Sequence, residues 1–403
     1  MGYRYAILGA GRQGTAAAYD IGVFGDADEV VVADVKLMQA RRSAARVNQL
    51  VGRKVARAVR TDVCDEAVLA DTLDGVDVLV SAVPYFFNLG IAKQALRARA
   101  SMVDLGGNTP IVRQQLALDE AARDAGISIV PDCGMGPGLN ITLSVYAMEL
   151  LDVPTDVFVY DGGLPQHPEP PWGYALTFNV EGLTNEYDGM ATFLRDGRIV
   201  EVPALTELEE IQLPPLGRLE AAVTTGGLST APWSFLGALR TYQNKTLRYP
   251  GHWARMEAFR DLGLFRLEPV RVDGRSVIPR HVFHTLFEPQ VTTRPRDVCV
   301  ERVRALGTKD GIPAEVLVDL IDWYDEATGF TAMERLTGWH AAIAAEMIAR
   351  GDVPKGALPV ERGLPAKSFV AEVRRRGISI DERTTFFEDR ESHRRGPQSI
   401  VVS

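Results

Sequence analysis

Short apolar runs alternate with amphipathic segments along the first third of the chain. Runs such as YRYAILGAG at 3–11, EVVVADV at 29–35 and VDVLVSAVP at 76–84 have the valine-rich composition of strands that are buried on both faces. The segments between them, such as GTAAAYDIGVF at 14–24, place apolar residues at helical spacing. This alternation predicts an α/β fold class, with a doubly wound parallel sheet of the Rossmann type over residues 1–140.

The pattern changes after about residue 153, where apolar and polar residues alternate with a period of two. The segment ATFLRDGRIVEV at 191–202 carries a central DG pair, which is a turn signal between two strands. Two further strand-like runs, DVCVERVRALG and EVLVDLIDWYD, lie between 296 and 325. We therefore expect residues 141–330 to form a second, α+β domain with a largely antiparallel sheet.

Two long segments have a helical period. The stretch at 110–126 predicts one helix, and the stretch at 329–353 predicts another that ends at Gly351. We assign residues 331–383 to C-terminal helices that return to cover the Rossmann domain. The charged, turn-rich residues 384–403 form a tail, either an ordered arm or a disordered segment.

Composition narrows the class of protein. The 403 residues are 46% hydrophobic and 24% charged with a net charge of −9, which favours an acidic globular enzyme over a nucleic-acid binder. No apolar run is long enough to span a membrane, and the first residues lack the pattern of a signal peptide. The cysteines, Cys64, Cys133 and Cys299, are too scattered for a disulfide framework, so we expect a cytoplasmic protein. His281 and His284 alone do not make a metal site, and we expect none.

The sequence GAGRQG follows the first predicted strand and opens a helix, which is the context of a dinucleotide-binding turn. In such a turn Gly9 allows the sharp bend, Gly11 lets a pyrophosphate approach the backbone, and Gly14 lets helix and strand pack closely. Arg12 and Gln13 complete the turn. The helix N-terminus supplies N–H groups and partial positive charge for the phosphates.

An acid follows the last of these glycines by 20 residues, at the end of the second predicted strand. A carboxylate at this place, Asp34, accepts hydrogen bonds from a ribose 2′-hydroxyl and repels a 2′-phosphate, which favours NAD as the cofactor. At the end of the third strand, Asp62 either contacts the adenine or caps the next helix. Val63, Val83 and Pro84 are the other candidate cofactor contacts at these strand ends.

Three polar groups fall at the ends of the later strands, where ligands bind in a doubly wound sheet. Tyr85 either packs or points its hydroxyl into the cleft. Asp104 follows the fifth strand, and an acid at that edge is more often functional than structural. Cys133 is either a chemical group beside the nicotinamide or a small packed thiol. All three are candidate catalytic residues.

The motifs LGAGRQG, SAVPYFFN, VDLGGNT, VPDCGMGPG, YDGGLPQ and KTLRYPGH together resemble the saccharopine dehydrogenase-like family, and most closely its lysine 6-dehydrogenase branch. The resemblance implies a Rossmann domain and a homodimer or higher homo-oligomer. It also implies that residues 141–330 are the catalytic domain, which binds the substrate and whose antiparallel sheet forms the dimer contact. It also implies that Tyr85, Asp104 and Cys133 lie beside the nicotinamide and that Arg248 holds a substrate carboxylate. The alternative for Arg248 is a surface ion pair.

The resemblance implies NAD-dependent oxidation of the ε-amine of L-lysine to 2-aminoadipate 6-semialdehyde, with release of ammonia. Asp104 is the first candidate for orienting the amine, and Lys245 and His252 are alternative bases. Glu181 or Glu186 either meets the α-ammonium or is a solvated loop acid. Two other functions remain open: dehydrogenation of saccharopine or a carboxyspermidine-type substrate, and cofactor binding without catalysis.

Overall fold

A parallel sheet with helices on both faces forms the first part of the protein. The structure, a computed structural model, describes residues 2–291 and 295–387. The elements of this part are, in chain order, β1 (Tyr3–Leu8), α1 (Arg12–Phe24), β2 (Ala27–Asp34), α2 (Leu37–Val51), β3 (Ala56–Arg60), α3 (Glu66–Leu73), β4 (Val78–Ser81), α4 (Asn88–Ala98), β5 (Ser101–Asp104), α5 (Thr109–Leu116), α6 (Asp119–Ala125) and β6 (Ser128–Val130). A short 3-10 helix, Tyr85–Phe87, precedes α4.

A second sheet follows, reached through α7. The elements of this part are, in chain order, α7 (Leu139–Glu149), β7 (Val153–Pro165), α8 (Val180–Glu186), β8 (Met190–Arg195), β9 (Arg198–Pro203), β10 (Glu209–Leu213), β11 (Gly217–Ala222), α9 (Ala231–Ser234), β12 (Thr241–Arg248), α10 (His252–Asp261), β13 (Val270–Val272), β14 (Arg275–Val277), α11 (Pro279–Phe287), β15 (Asp297–Lys309) and β16 (Ile312–Trp323). Of these strands, β13 and β14 form a separate two-stranded sheet. His281 and His284, which we placed in a strand or loop, lie on α11.

The C-terminal segment adds one strand to each sheet. It contains α12 (Ala332–Arg350), β17 (Gly356–Ala357), α13 (Val360–Gly363), α14 (Ala366–Arg375) and β18 (Ile380–Phe386). The first sheet has the order β17–β6–β5–β4–β1–β2–β3, and all its pairs are parallel. The second has the order β10–β11–β12–β7–β15–β16–β18, with β8 and β9 attached to β12. Only β7 and β12 pair in parallel among the described strands of this sheet, so the predicted fold class is confirmed.

The long C-terminal helix packs directly on the Rossmann domain. Thr331 and Glu334 form a capping box at its start, and Gly351 ends it with a φ of +85°. A Cβ added at Gly338 would lie 2.7 Å from the carbonyl oxygen of Gln13 on α1. Glycine at this position therefore lets α12 lie against α1, close to the predicted cofactor turn.

Two predicted elements differ from the structure. The single helix expected over 110–126 is divided into α5 and α6, because Asp119 starts a new helix and accepts a hydrogen bond from the backbone N–H of Ala357 on β17, at 3.0 Å. Residues Ile380–Phe386 form a strand, β18, at the edge of the described part of the second sheet, where we expected the last helix and the start of the tail. Residues 388–403 of the expected tail lie outside the described residues.

Candidate active site

The glycine turn between β1 and α1 has the geometry of a dinucleotide-binding turn. Gly9 has a φ of +101°, and a Cβ there would lie 2.6 Å from the carbonyl oxygen of Ala82. A Cβ at Gly14 would lie 2.0 Å from the carbonyl oxygen of Gly9. At Gly11 a Cβ would point into open space. The turn is therefore closed on its strand side and open where a pyrophosphate would meet the N-terminus of α1.

Asp34 lies beside this turn. Its half-buried carboxylate accepts hydrogen bonds from the backbone N–H groups of Ala10 at 2.9 Å and Lys36 at 2.8 Å. These bonds hold the carboxylate at the end of β2, where the adenosine ribose lies in proteins of this fold. The residues of this edge thus fit a nicotinamide dinucleotide, and that cofactor, when bound, supplies the hydride acceptor or donor.

Arg12 connects the turn to the second domain. Its guanidinium lies 3.0 Å from a carboxylate oxygen of Glu334 and donates to the carbonyl oxygen of Thr177 at 2.7 Å. The side chain is therefore engaged in a contact between domains. We expect Arg12 and Gln13 to contact the cofactor through their backbone.

The prediction that Asp62 caps the helix after the third strand was wrong. Asp65 caps α3, because its carboxylate accepts the N–H groups of Ala67 and Val68. Asp62 is exposed, and its carboxylate accepts a hydrogen bond from the backbone N–H of Cys64 at 2.9 Å. Its contact with an adenine stays a prediction.

The loops after β3 and β4 carry the other candidate cofactor contacts. Val63 and Val83 are half-buried on the hydrophobic core that β1, β2 and β4 share. Pro84 precedes the short 3-10 helix that carries Tyr85. The Tyr85 ring is half-buried and lies 3.7 Å from the position of a Cβ built on Gly107, so it faces the loop that follows β5.

Asp104 and Cys133 point into the protein. The Asp104 carboxylate is fully buried and accepts hydrogen bonds from the Gln115 amide at 2.7 Å and the Gly106 N–H at 2.8 Å. The Cys133 thiol is also fully buried, lies 3.4 Å from the carbonyl oxygen of Val130, and has its pKa raised by burial. Both side chains are thus held at the strand ends in this structure, and the packed-thiol alternative describes Cys133 here; contact of either with the nicotinamide stays a prediction.

Arg248 is buried at the end of β12. Its Nε donates to the Tyr187 hydroxyl at 3.0 Å, and Nη2 lies 3.8 Å from a carboxylate oxygen of Glu186. The rings of Tyr174 and Trp253 lie 5.4 and 5.7 Å from the guanidinium carbon. Because the side chain is only 3% exposed, the alternative of a surface ion pair is wrong.

His252 acts on Arg248 through Tyr187. Its Nε2 lies 2.9 Å from the Tyr187 hydroxyl. That hydroxyl also accepts from Arg248 Nε, so it links the two side chains. Burial and the Arg248 charge hold the pKa of His252 well below its ordinary value. His252 is thus placed as a positioning residue for Arg248, and its role as a base stays a prediction.

Lys245 lies on the other face of the sheet. Its ammonium is 3.0 Å from a carboxylate oxygen of Glu209 and donates to the carbonyl oxygen of Glu207 at 2.7 Å. Successive side chains of a strand point to opposite faces, so Lys245 faces away from Arg248, three residues later. The expectation that the two share one site is therefore corrected.

The two candidate acids of α8 have different surroundings. Glu181 is 51% exposed and pairs with Arg280 at 3.1 Å. Glu186 is beside Arg248, and its side chain is 31% exposed although protein atoms surround the carboxyl group, as expected for a group that lines a cleft. Burial, opposed by Arg248, raises the pKa of Glu186 to about 7. Of the two, Glu186 belongs to the candidate site.

Sequence reasoning missed two further acids. Asp161 on β7 lies directly opposite Thr246 on β12 and Glu301 on β15, so the three side chains share one face of the second sheet. Asn140, in the first turn of α7, donates to Asp161 at 3.1 Å and thereby joins this face to the segment that follows β6 of the first sheet. The sequence offered one signal for these acids: Asp161 lies within the largely apolar strand sequence VFVYDGG, and Glu301 lies within DVCVERV.

Residues 2–291 and 295–387 contain neither a cluster of metal ligands nor a helix that could span a membrane. No group of three or more histidine, cysteine, aspartate and glutamate side chains in these ranges could hold a metal ion. In the same ranges no helix has the length and apolar character needed to cross a membrane.

Solved structures and curated proteins resemble this chain over different lengths. Saccharopine dehydrogenase (L-Glu forming) from Saccharomyces cerevisiae superposes with a TM-score of 0.76, covering 95% of this chain and 100% of that one at 20% identity. The mitochondrial alpha-aminoadipic semialdehyde synthase of Mus musculus is 27% identical over 50% of this chain, which spans only 23% of that relative. Carboxynorspermidine synthase of Vibrio alginolyticus is 23% identical over 72% of this chain and 73% of its own length.

Family assignments cover nearly the whole described chain. Residues 5–130 match the saccharopine dehydrogenase NADP binding domain. Residues 134–378 match the saccharopine dehydrogenase C-terminal domain. The boundary between the two matches falls in the loop after β6, where the two sheets meet. The chain therefore belongs to the saccharopine dehydrogenase family.

Proposed function

We propose that the protein is an NAD-dependent oxidoreductase that converts the ε-amine of L-lysine to 2-aminoadipate 6-semialdehyde and releases ammonia. The observation that carries this proposal is the charge balance around Arg248. Two carboxyl groups, on Asp161 and Glu186, interact with this one guanidinium, and a third, on Glu301, lies directly opposite Asp161. A site with this balance favours a substrate that carries one carboxylate and more than one amine.

The amino-acid end of the substrate fits between Arg248 and Glu186. A guanidinium binds a carboxylate with two parallel hydrogen bonds, and the Tyr174 and Trp253 rings beside Arg248 exclude water from them. Glu186 is the nearest carboxylate to this guanidinium and is placed to receive the α-ammonium.

Saccharopine fits this charge balance less well. It has three carboxylates and would require several cations, but neighbouring basic side chains of the second domain are engaged elsewhere. Arg195 pairs with Glu207, Arg240 with Asp156 and Lys245 with Glu209. These pairs support a substrate with fewer carboxylates.

A carboxylated polyamine is the second candidate substrate, because it also combines one carboxylate with several amines. The match to carboxynorspermidine synthase, which extends over 73% of that relative, supports keeping it. Carboxyaminopropylagmatine dehydrogenase of Synechocystis is similarly matched over 69% of its length.

We infer NAD as the cofactor from Asp34, although the matched domain family is described as NADP binding. Replacing Asp34 by serine is expected to raise the Michaelis constant for NAD⁺ by roughly tenfold, because a charged hydrogen bond to the ribose is lost. The same change is expected to improve the relative use of NADP⁺, since a carboxylate no longer repels the 2′-phosphate. Steady-state rates with both cofactors measure the ratio.

Asp28→Ser is the matched control, because Asp28 is exposed at the opposite end of β2. We expect this variant to retain the cofactor ratio of the wild type. Equal ratios for Asp34→Ser and wild type would remove Asp34 from the cofactor site.

The function is tested by following NADH formation at alkaline pH with purified protein, NAD⁺ and L-lysine, saccharopine or carboxynorspermidine. We expect turnover with L-lysine alone and release of one ammonia for each NADH. Turnover with carboxynorspermidine but not with lysine would establish the second candidate. Turnover only with saccharopine would contradict the charge argument.

A further inference from the structure

Asp161 and Glu301 are directly opposite each other on the paired strands β7 and β15. Opposed residues have their Cβ atoms about 5 Å apart, with side chains on the same face. Two carboxyl groups at this spacing repel each other when both are ionised. A cation between them would relieve that repulsion.

The two carboxyl groups have unequal hydrogen bonding. Asp161 accepts from Asn140 at 3.1 Å and from the Thr246 hydroxyl at 3.3 Å. Glu301 is fully buried, and neither of its carboxylate oxygens has a hydrogen-bond partner within the described residues. A buried carboxyl group without a partner is destabilising, so its presence here points to a group that supplies hydrogen bonds when the site is filled.

This pair lies where the two domains meet. A Cβ added at Gly136, in the loop that follows β6, would lie 3.2 Å from a carboxylate oxygen of Asp161. The carboxyl end of β6 belongs to the edge at which a doubly wound sheet binds its ligand. Asn244 is 1% exposed on the same face as Thr246, beside the Asp161 carboxylate. The carboxyl pair thus lies next to the cofactor edge.

We propose that Asp161 and Glu301 bind the amine that is oxidised and that Glu301 accepts its proton. This rests on the proposed function, in that the reacting group is an amine. An ammonium has three N–H donors, and the two carboxyl groups offer acceptors on one side of it. In the proton transfer one N–H bond breaks and one O–H bond forms on Glu301. The electron pair stays on nitrogen, as oxidation of the adjacent carbon requires.

Other titratable groups surround Glu301. Asp161 faces it from β7, Tyr242 from β12 and Cys299 from β15 itself, and Arg248 lies further along β12. Burial, followed by the Asp161 charge, raises the pKa of Glu301 well above its ordinary value. The carboxylate form needed to accept a proton therefore increases with pH, and kcat/KM should have an acidic limb.

Glu301→Gln tests the proposal, with Glu201→Gln, an exposed glutamate of β9, as the control. We expect Glu301→Gln to lower kcat/KM for L-lysine by about a hundredfold and to remove the acidic limb. We expect the Michaelis constant for NAD⁺ to stay unchanged. The unfolding temperature should not fall, because Glu301 has no hydrogen-bond partner to lose. A retained acidic limb and rate would overturn the proposal.

Binding measured by calorimetry separates this proposal from the proposed function. The wild type should bind L-lysine more tightly than L-norleucine, which lacks the ε-amine, and Asp161→Asn should reduce that preference about tenfold. Oxidation of carboxynorspermidine but not of L-lysine by the wild type would overturn the proposed substrate. The proposal for the carboxyl pair would still be supported if Glu301→Gln lost the acidic limb with carboxynorspermidine. Equal wild-type affinity for L-lysine, L-norleucine and carboxynorspermidine would overturn the pair, whatever reaction is catalysed.

Discussion

Replacing Arg248 by methionine is expected to lower kcat/KM for the amino-acid substrate by about three orders of magnitude. Each hydrogen bond between charged groups contributes about 1.5–3 kcal/mol, and a guanidinium makes two with a carboxylate. About 4 kcal/mol corresponds to roughly a thousandfold. The loss should exceed a thousandfold if Glu186 also takes up a proton in the variant, because the Arg248 charge lowers the pKa of Glu186. Steady-state kinetics with L-lysine and NAD⁺ measure the effect.

Arg248→Lys distinguishes charge from geometry. Lysine keeps the positive charge but lacks the planar fork and cannot reproduce the bond from Nε to Tyr187. We expect a loss of roughly ten- to a hundredfold, between the wild type and Arg248→Met, with an unchanged Michaelis constant for NAD⁺ in both variants. A loss of less than threefold in Arg248→Met, in folded protein, would show that the carboxylate binds elsewhere.

The cofactor half of the site could be predicted because its geometry is local. Gly9, Gly11 and Gly14 lie within six residues, so a single short segment carries the whole pattern of the turn. Asp34 follows at the end of the next parallel strand, so the strand length fixes its place beside the turn. Sequence spacing alone therefore places these residues together.

The substrate half could not be predicted in this way. Asp161 and Glu301 are far apart in the chain and meet only because β7 and β15 pair in one particular register. A shift of that register by one residue would point Glu301 to the other face of the sheet. The strand period could, however, have separated Lys245 from Arg248, because an odd spacing within one strand places two side chains on opposite faces.

Strand ends were the least predictable places. The carboxyl edge of a parallel sheet binds ligands, but the backbone after the last paired residue decides whether a side chain faces the crevice or the core. Asp104 turns inward because the N–H of Gly106 and the amide of Gln115 bind its carboxylate. Cys133 follows it, since its N–H donates to the carbonyl oxygen of Asp104 at 2.6 Å. Residue type alone does not distinguish these orientations.

Replacing Arg376 by methionine is expected to destabilise the fold by about 3–5 kcal/mol, because two carboxylates would remain buried without their cation. The Arg376 side chain is fully buried and binds Asp20 of α1 at 2.9 Å and Glu346 of α12 at 2.8 Å. It therefore joins the Rossmann domain to the helix that covers it. The fall should appear as a lower midpoint of urea unfolding.

The loss in Arg376→Met should grow with pH. Burial raises the pKa of both Asp20 and Glu346 above their ordinary values, and Arg376 opposes that rise. Without Arg376 both acids keep their protons to higher pH in the folded state, while in the unfolded chain they ionise near pH 4. The folded state then binds more protons, so its stability falls as pH rises above about 5.

Arg375→Met, at a 52% exposed neighbour, should change stability by about 0.5 kcal/mol or less at every pH. Equal losses in the two variants would contradict a buried charge network.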